Sequence, residues 1–174
     1  MNPHHALQVE PLDSTRFAPF GEVIETAQAR QVFSINTGTA QRFHDLARID
    51  TGQRGGRTVL SIFRAQPRQF PFPVEIIERH PLGSQAFFPL SGEPYLVIVS
   101  ESPAHRPKVF AASADQGVNF HSGTWHHALV ALNRECDFLV IDRDGGDGNC
   151  DEARLSESFV LLSPDVPARS GSPR

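Results

Sequence analysis

Two side chains that can exchange protons or bind a cation lie on one face of a short segment near the middle of the chain. Residues Val74–His80 (VEIIERH) have the composition of a β-strand, in which successive side chains point to opposite faces. Glu78 and His80 therefore share a face with Ile76. A carboxylate beside an imidazole suits acid–base chemistry or metal binding.

The spacing of further polar residues extends this pair into two motifs. Gln85 follows His80 after four residues, and a glycine follows Gln85 after six. The later segment His121–His126 reads HSGTWH. These spacings resemble the two cupin motifs, H-x-H-x(3,4)-E-x(6)-G and P-x-G-x-x-H. Glu78 stands at the first His position, Gln85 at the Glu position, and His121 replaces the Pro.

In cupins the two motifs face each other across a β-barrel and share one pocket. The resemblance implies that four side chains converge: Glu78, His80, Gln85 and His126. Their nitrogen and oxygen donors, without a thiolate, could hold a divalent ion such as nickel, manganese, iron or zinc. The alternative is a hydrogen-bonded polar pocket, which would still serve a ligand because an unsatisfied buried polar group costs roughly 1–3 kcal/mol.

The strand pattern along the rest of the chain agrees with a barrel. Fourteen prolines and thirteen glycines divide the chain into short segments, many with period-two alternation. The clearest segments are Arg57–Ala65, Val74–His80, Pro94–Ser100, His126–Asn133, Cys136–Arg143 and Ser158–Leu162. A short helix capped by Asp13 or Ser14 is also expected. This pattern indicates a sandwich or barrel. The resemblance to the cupin motifs then implies an all-β fold, a cupin-type double-stranded β-helix barrel (jelly-roll-like) with one or two short helices.

Length and composition restrict the class of protein. The 174 residues favour one domain over residues 1–162, followed by a loose tail over 163–174. The net charge of -4 and the thinly spread basic residues argue against nucleic acid as a partner. The longest apolar runs have five residues, so we expect no membrane span and a cytoplasmic protein. The two cysteines suggest neither a disulfide framework nor a thiolate metal site.

Longer runs around the candidate residues resemble the ureidoglycolate lyase family. They are Glu78–Phe87 (ERHPLGSQAF), Gln116–His127 (QGVNFHSGTWHH), and Ile141–Arg143 (IDR) with Asn149–Asp151 (NCD). The similarity extends over residues 7 to 160. It implies an enzyme of allantoin and purine degradation that splits ureidoglycolate into glyoxylate and urea. It also implies a cytoplasmic homodimer, with nickel or another divalent ion as the metal.

Elimination of urea requires a base at the carbinol oxygen and an acid at the departing nitrogen. We expect His126 to be the principal acid/base group, with Glu78 orienting His80 or sharing a proton with it. Gln85 and His121 are expected to contact the substrate. A metal at the same place would instead act on the carbinol oxygen or the carboxylate as a Lewis acid.

The substrate carboxylate calls for an arginine, which can bind it in a bidentate manner. Arg64 is the first candidate, because it shares a strand face with Leu60 and Ile62 and is therefore expected to point into the barrel. The alternative is an arginine at the strand end whose charged group reaches water. Arg143 is the second candidate, with a structural ion pair as the alternative. By the same alternation, His127 is expected to point away from the pocket.

Three other functions remain open at this stage. The same fold and substrate would suit a hydrolase that releases ammonia and carbon dioxide. A metal-dependent cupin oxygenase or isomerase acting on another small carboxylic acid is the main alternative. A non-catalytic binding module is the third.

Overall fold

Two β-sheets face each other and enclose the main hydrophobic core. The computed structural model describes residues 5–146 and 148–164, so most of the predicted tail, residues 165–174, lies outside the described residues. The one-domain division stays a prediction. The strands are β1 (Val9–Pro11), β2 (Gly21–Ile24), β3 (Gln31–Ile35), β4 (Ala40–His44), β5 (Arg57–Ala65), β6 (Phe72–Arg79), β7 (Gln85–Pro89), β8 (Tyr95–Ser100), β9 (Lys108–Ala112), β10 (Gly117–Phe120), β11 (Trp125–His126), β12 (Val130–Ala131), β13 (Cys136–Asp144) and β14 (Asp151–Leu161).

The larger sheet has the order β1-β9-β8-β11-β6-β14, with β12 pairing beside β8. The other barrel sheet has the order β2-β10-β7-β13-β5. One α-helix, α1 (Ser14–Phe17), and three single 3-10 turns complete the described elements: Thr26–Gln28, Asn36–Gly38 and Gln53–Gly55. Strands account for most of the regular structure, which confirms the all-β, cupin-like prediction.

Strand β8 shows how the two sheets are packed. Its residues alternate between two apolar clusters, as the period of a strand requires. Tyr95, Val97 and Val99 enter the core between the sheets, where the Tyr95 ring meets Phe138 of β13 with centroids 5.0 Å apart. Leu96 and Ile98 enter a second cluster on the other side of the larger sheet.

The segment predicted as one strand over His126–Asn133 is interrupted. Strand β11 ends at His126 and β12 begins at Val130, and both pair with β8. The chain leaves the sheet over the three residues between them. The prediction of a continuous strand was therefore wrong, and this interruption matters for the site.

Short strands such as β2 and β10 are absent from the predicted segments. Each of these two has only four residues, which is too short for alternation to stand out. The expected helix is present as α1. Asp13 caps it, because its Oδ1 accepts hydrogen bonds from the N–H groups of Thr15 and Arg16 at 3.1 and 3.0 Å.

Strands β3 and β4 form a separate two-stranded hairpin. Apolar side chains are exposed along it, including Val32, Phe33, Ile35 and Phe43. In the described part of the chain, no helix has the length and apolar character that a membrane crossing needs.

Substitution of the two adjacent isoleucines of β6 tests the packing of the larger sheet. Ile77 is 1% exposed in the second cluster, whereas Ile76 is 41% exposed. We expect Ile77→Ala to lower the free energy of unfolding by about 2–5 kcal/mol, because it leaves a cavity. Ile76→Ala should lower it by less than about 1 kcal/mol. Urea unfolding of both variants measures the difference, and equal losses would contradict the packing described.

Candidate active site

Glu78 and His126 meet as a cross-strand pair. Strand β11 lies between β8 and β6, and His126 is directly opposite Glu78 in the antiparallel register. Opposite residues of a strand pair project to the same face. The His126 Nε2 and Glu78 Oε1 atoms are 3.5 Å apart, and the His126 side chain is only 2% exposed. A buried imidazole thus faces a half-buried carboxylate.

His80 completes the group from the end of β6. Its Nε2 lies 4.0 Å from Glu78 Oε1, and its ring centroid is 5.3 Å from that of His126. The turn before β11 holds this end in place, because the Gly123 N–H donates to the His80 carbonyl at 2.9 Å. Gly123 has a φ of 80°, a conformation that glycine adopts without strain. The structure therefore brings three of the predicted residues together: Glu78, His80 and His126.

Backbone carbonyls fix the proton position on both histidines. His80 Nδ1 lies 2.6 Å from the Asn149 carbonyl oxygen, and His126 Nδ1 lies 2.9 Å from that of Thr124. A carbonyl only accepts, so in each ring the Nδ1–H is the donor. Each neutral ring then carries its lone pair on Nε2. Both Nε2 atoms are buried and have no hydrogen-bond partner among the described residues.

These two lone pairs and the Glu78 carboxylate form a set that could hold a divalent metal. The three ligand atoms lie within 4.8 Å of one another. Histidines that bind a metal usually donate their other ring N–H to a carbonyl or carboxylate, as both do here. Two imidazole nitrogens and a carboxylate oxygen suit a metal of the nickel, manganese, iron or zinc class. The residues therefore fit a metal, and the orphaned Nε2 atoms are the observation that supports it.

The electrostatics of the group favour a charged carboxylate. The pKa of Glu78 is lowered, first by its polar contact with the His126 imidazole and also by the nearby His80. Partial burial acts in the opposite direction but is the smaller effect. Glu78 is therefore an anion at neutral pH, and its charge favours a proton or a cation on the two Nε2 atoms that face it.

A cavity of about 230 Å³ opens beside Glu78 and His126. Its walls are mostly apolar: Phe63, Phe87, Tyr95, Val97, Val118 and Phe120. The Phe120 ring stacks on the His126 imidazole with centroids 4.3 Å apart and an interplanar angle of 14°. A small cavity with apolar walls and a few convergent polar groups is the usual form of a small-molecule site.

Gln85 is not among the residues that line the cavity. It is buried on β7, directly opposite Phe120 of β10, so the two side chains share the inner face of the sheet. Its Nε2 donates to Asp142 at 3.4 Å, while its Oε1 has no hydrogen-bond partner in the described structure. An unsatisfied acceptor on this face is available to a ligand.

Arg64 points away from the cavity, contrary to prediction. Its guanidinium makes a bidentate contact with Asp137 of β13, with Nε and Nη2 distances of 2.8 and 2.9 Å. Leu60 and Ile62, on the same face of β5, are 68% and 54% exposed. That face is the outside of the sheet, although Arg64 is also among the residues that border the cavity. The expectation of an inward guanidinium was wrong because this apolar face is not a core face.

Arg143 and His121 are not brought to the group either. Arg143 is buried, and its Nε and Nη2 donate to the Gln53 carbonyl at 3.0 and 2.8 Å. Through this backbone carbonyl it anchors the loop before β5. His121 is half exposed in the turn before β11, with its Nε2 3.6 Å from Glu22.

Two contacts of the site were not predicted, and a further residue borders the cavity. His127 was expected to point outward, and its ring lies against Phe72 of the second cluster with centroids 6.0 Å apart, although the residue also borders the cavity. Burial lowers the pKa of His127, which keeps it neutral at pH 7. The Cys150 Sγ lies 3.8 Å from Glu78, and the Asn149 carbonyl orients His80. The run Asn149–Asp151 was quoted for its resemblance, but nothing in its pattern indicates these contacts.

Comparison with known proteins agrees with the motifs. A sequence model of the family described as ureidoglycolate lyase matches residues 4–162. A ureidoglycolate lyase of Burkholderia mallei (strain NCTC 10229) is 51% identical over 158 residues, covering 89% of this chain and 92% of that protein. One of Rhizobium etli (strain CIAT 652) is 48% identical over 161 residues, covering 91% and 96%. One of Pseudomonas putida (strain W619) is 44% identical over 160 residues, covering 90% and 95%. The chain therefore belongs to the ureidoglycolate lyase family.

Proposed function

We propose that the protein is a carbon–nitrogen lyase that eliminates urea from ureidoglycolate and releases glyoxylate. The observation that carries the proposal is the convergence of two orphaned Nε2 lone pairs and one carboxylate beside a small cavity. The names of the relatives support the substrate.

The reaction moves one proton and breaks one bond. A base removes the proton of the carbinol O–H, and the oxygen lone pair forms the aldehyde C=O. The carbon–nitrogen bond breaks, and its electron pair stays on the departing urea nitrogen, which then takes up a proton. A single imidazole can act first as the base and then as the acid, because it can pass to the urea nitrogen the proton that it removed from the carbinol oxygen.

His126 is our candidate for this group. Its Nδ1–H is held by the Thr124 carbonyl, so the Nε2 that borders the cavity is the atom that can accept the proton. Accepting it makes an imidazolium. The Glu78 carboxylate 3.5 Å away stabilises that charge, which is the electrostatic part of the mechanism.

His80 and Glu78 have supporting roles in this scheme. His80 presents a second Nε2 lone pair to the same carboxylate, so Glu78 and His80 can hold the substrate hydroxyl or share its proton. The apolar walls exclude water from the aldehyde and strengthen the polar contacts inside. Gln85, with its free acceptor oxygen, is the candidate contact for the urea N–H groups.

In a second form of the proposal, Glu78, His80 and His126 instead hold a divalent metal, with Gln85 as a fourth ligand, and a metal-bound Nε2 then cannot serve as the base. The donor set supports nickel, which the family resemblance implies, as well as manganese, iron or zinc. When bound, such an ion supplies Lewis-acid stabilisation of developing negative charge on oxygen. The resemblance further supports a homodimer that acts in the cytoplasm.

Replacing His126 tests the catalytic assignment. We expect His126→Gln to lower the rate of urea release from ureidoglycolate by about 10²–10⁴-fold, because positioned proton transfer contributes that much. His105→Gln is the matched control, since His105 is exposed on a turn and contacts Ser102 and Glu101. Its rate should match that of the wild type.

The products of the same assay decide the reaction class. An unchanged rate in His126→Gln would remove the assignment. Release of ammonia in place of urea would make the protein a hydrolase. Iron-dependent oxygen uptake without urea release would make it an oxygenase.

Metal binding is tested without turnover. Nickel titrated calorimetrically into chelator-treated protein should bind the wild type and bind Glu78→Gln or His80→Gln at least about 10-fold more weakly, since even outer contacts to ligands are worth about 10–100-fold. Glu101→Gln, at an exposed carboxylate, is the control and should bind as the wild type does. Equal affinity in all four proteins would show that nickel does not use these residues.

A further inference from the structure

Strand β5 is an open edge of the barrel. It is the last strand of the five-stranded sheet and pairs, among the described strands, with β13 alone. All nine of its residues are in register with β13. The opposite edge therefore presents a row of backbone N–H and C=O groups about 30 Å long. Such an edge readily pairs with another strand.

Apolar side chains are exposed on both faces of this strand. Leu60 and Ile62 extend from the outer face. Phe63 extends from the inner face and is 41% exposed, although its ring contacts Phe87 at 6.0 Å. A long edge strand with exposed apolar residues on both faces is unusual for a protein that stays monomeric.

The charges of β5 do not oppose self-association. The strand carries two arginines, one near each end. Arg57 forms an ion pair with Asp144, and Arg64 with Asp137, and both acidic partners belong to β13 of the same chain. The middle of the strand, Val59–Phe63, is uncharged.

We propose that β5 pairs antiparallel with β5 of a second copy of this chain, around a two-fold axis at Ser61. The inference rests on the proposed homodimer and assigns its contact surface. In this register each residue i faces residue 122 − i of the second copy. Leu60 lies opposite Ile62 on the outer face, and Val59 lies opposite Phe63 on the inner face. Apolar cross-strand pairs stabilise a sheet.

Neighbouring registers fit less well. An axis at Ile62 places Arg64 opposite Leu60, and an axis at Leu60 places Arg57 opposite Phe63. Only the register centred on Ser61 joins all four central apolar residues to one another. It also places Arg57 opposite Ala65 and Arg64 opposite Thr58, so that no two like charges face each other.

This contact borders the candidate active site. Phe63, Arg64 and Ala65 of β5 are among the residues that line the cavity beside Glu78 and His126. A second strand added at this edge continues the sheet beyond that wall. The second copy then contributes part of the wall that separates the cavity from water.

Charged side chains introduced at two positions of β5 test both the contact surface and the register of the strand pair. Because Leu60 faces Ile62 across the axis, Leu60→Glu/Ile62→Glu brings introduced carboxylates against one another. We expect its mass in sedimentation to fall to that of a monomer at concentrations where the wild type is a dimer. Leu60→Glu/Ile62→Lys places opposite charges face to face and should restore the dimer mass.

The control and the contrary outcomes are distinct. Leu90→Glu/Leu162→Glu introduces the same charge at two exposed leucines outside β5 and should remain a dimer. A monomeric wild type, a dimer that persists in Leu60→Glu/Ile62→Glu, or an exchange variant that stays monomeric would each overturn the proposal. Persistence of the dimer would direct attention to other exposed apolar surfaces, such as the β3–β4 hairpin.

A cross-linking variant gives an answer even if the charged variants do not fold. Ser61→Cys places two thiols opposite each other with Cα atoms about 4.5–5.5 Å apart, within disulfide range. Oxidation should then yield a covalent dimer, whereas the wild type and Leu90→Cys should not. Absence of the covalent dimer would overturn the pairing. Both tests measure the mass of the protein and not its activity. A negative result therefore does not count against urea release, and a protein that does not release urea can still be tested for the dimer.

Discussion

The candidate site depends on one cross-strand pair, Glu78 with His126. Strand β11 has two residues, and its position is set by pairing with β6 on one side and β8 on the other. A slip of one residue would turn the His126 imidazole to the opposite face and separate it from the carboxylate. The order of the sheet thus determines the chemistry. Glycine at position 123 and the Phe120 ring stacked on His126 keep the short strand in this register.

Burial gives this pair its reactivity and also makes it costly to maintain. Carbonyl groups of Asn149 and Thr124 occupy the outer nitrogens of the two histidines. The inner nitrogens have no hydrogen-bond partner among the described residues. An unsatisfied buried polar group costs roughly 1–3 kcal/mol. A proton, a metal or a substrate hydroxyl removes that penalty. The site is therefore organised to bind a cation or a hydrogen-bond donor before either arrives.

Much of the fold, and the central group of the site, could be predicted from local pattern. Strands β5 and β13 were long enough for alternation to be clear, and the alternation in β6 placed Glu78 beside His80. Arg64 was misplaced because apolar neighbours were taken to mark the core, whereas β5 is an edge strand whose outer face is apolar and exposed. The strand predicted over His126–Asn133 was wrong because the chain leaves the sheet after His126 and rejoins it only at Val130. Both errors concern tertiary structure, namely where a strand ends and which face of a strand is covered by other parts of the chain.

The thiol beside the carboxylate has a chemical consequence of its own. Cys150 is exposed, yet partial desolvation raises the pKa of its thiol, and the Glu78 carboxylate adds to that shift. The thiolate is the nucleophilic form of cysteine. An aldehyde produced within reach of a thiolate would be captured as a hemithioacetal. The Glu78 carboxylate disfavours ionisation of the Cys150 thiol. The aldehyde product is therefore not captured and can leave the site.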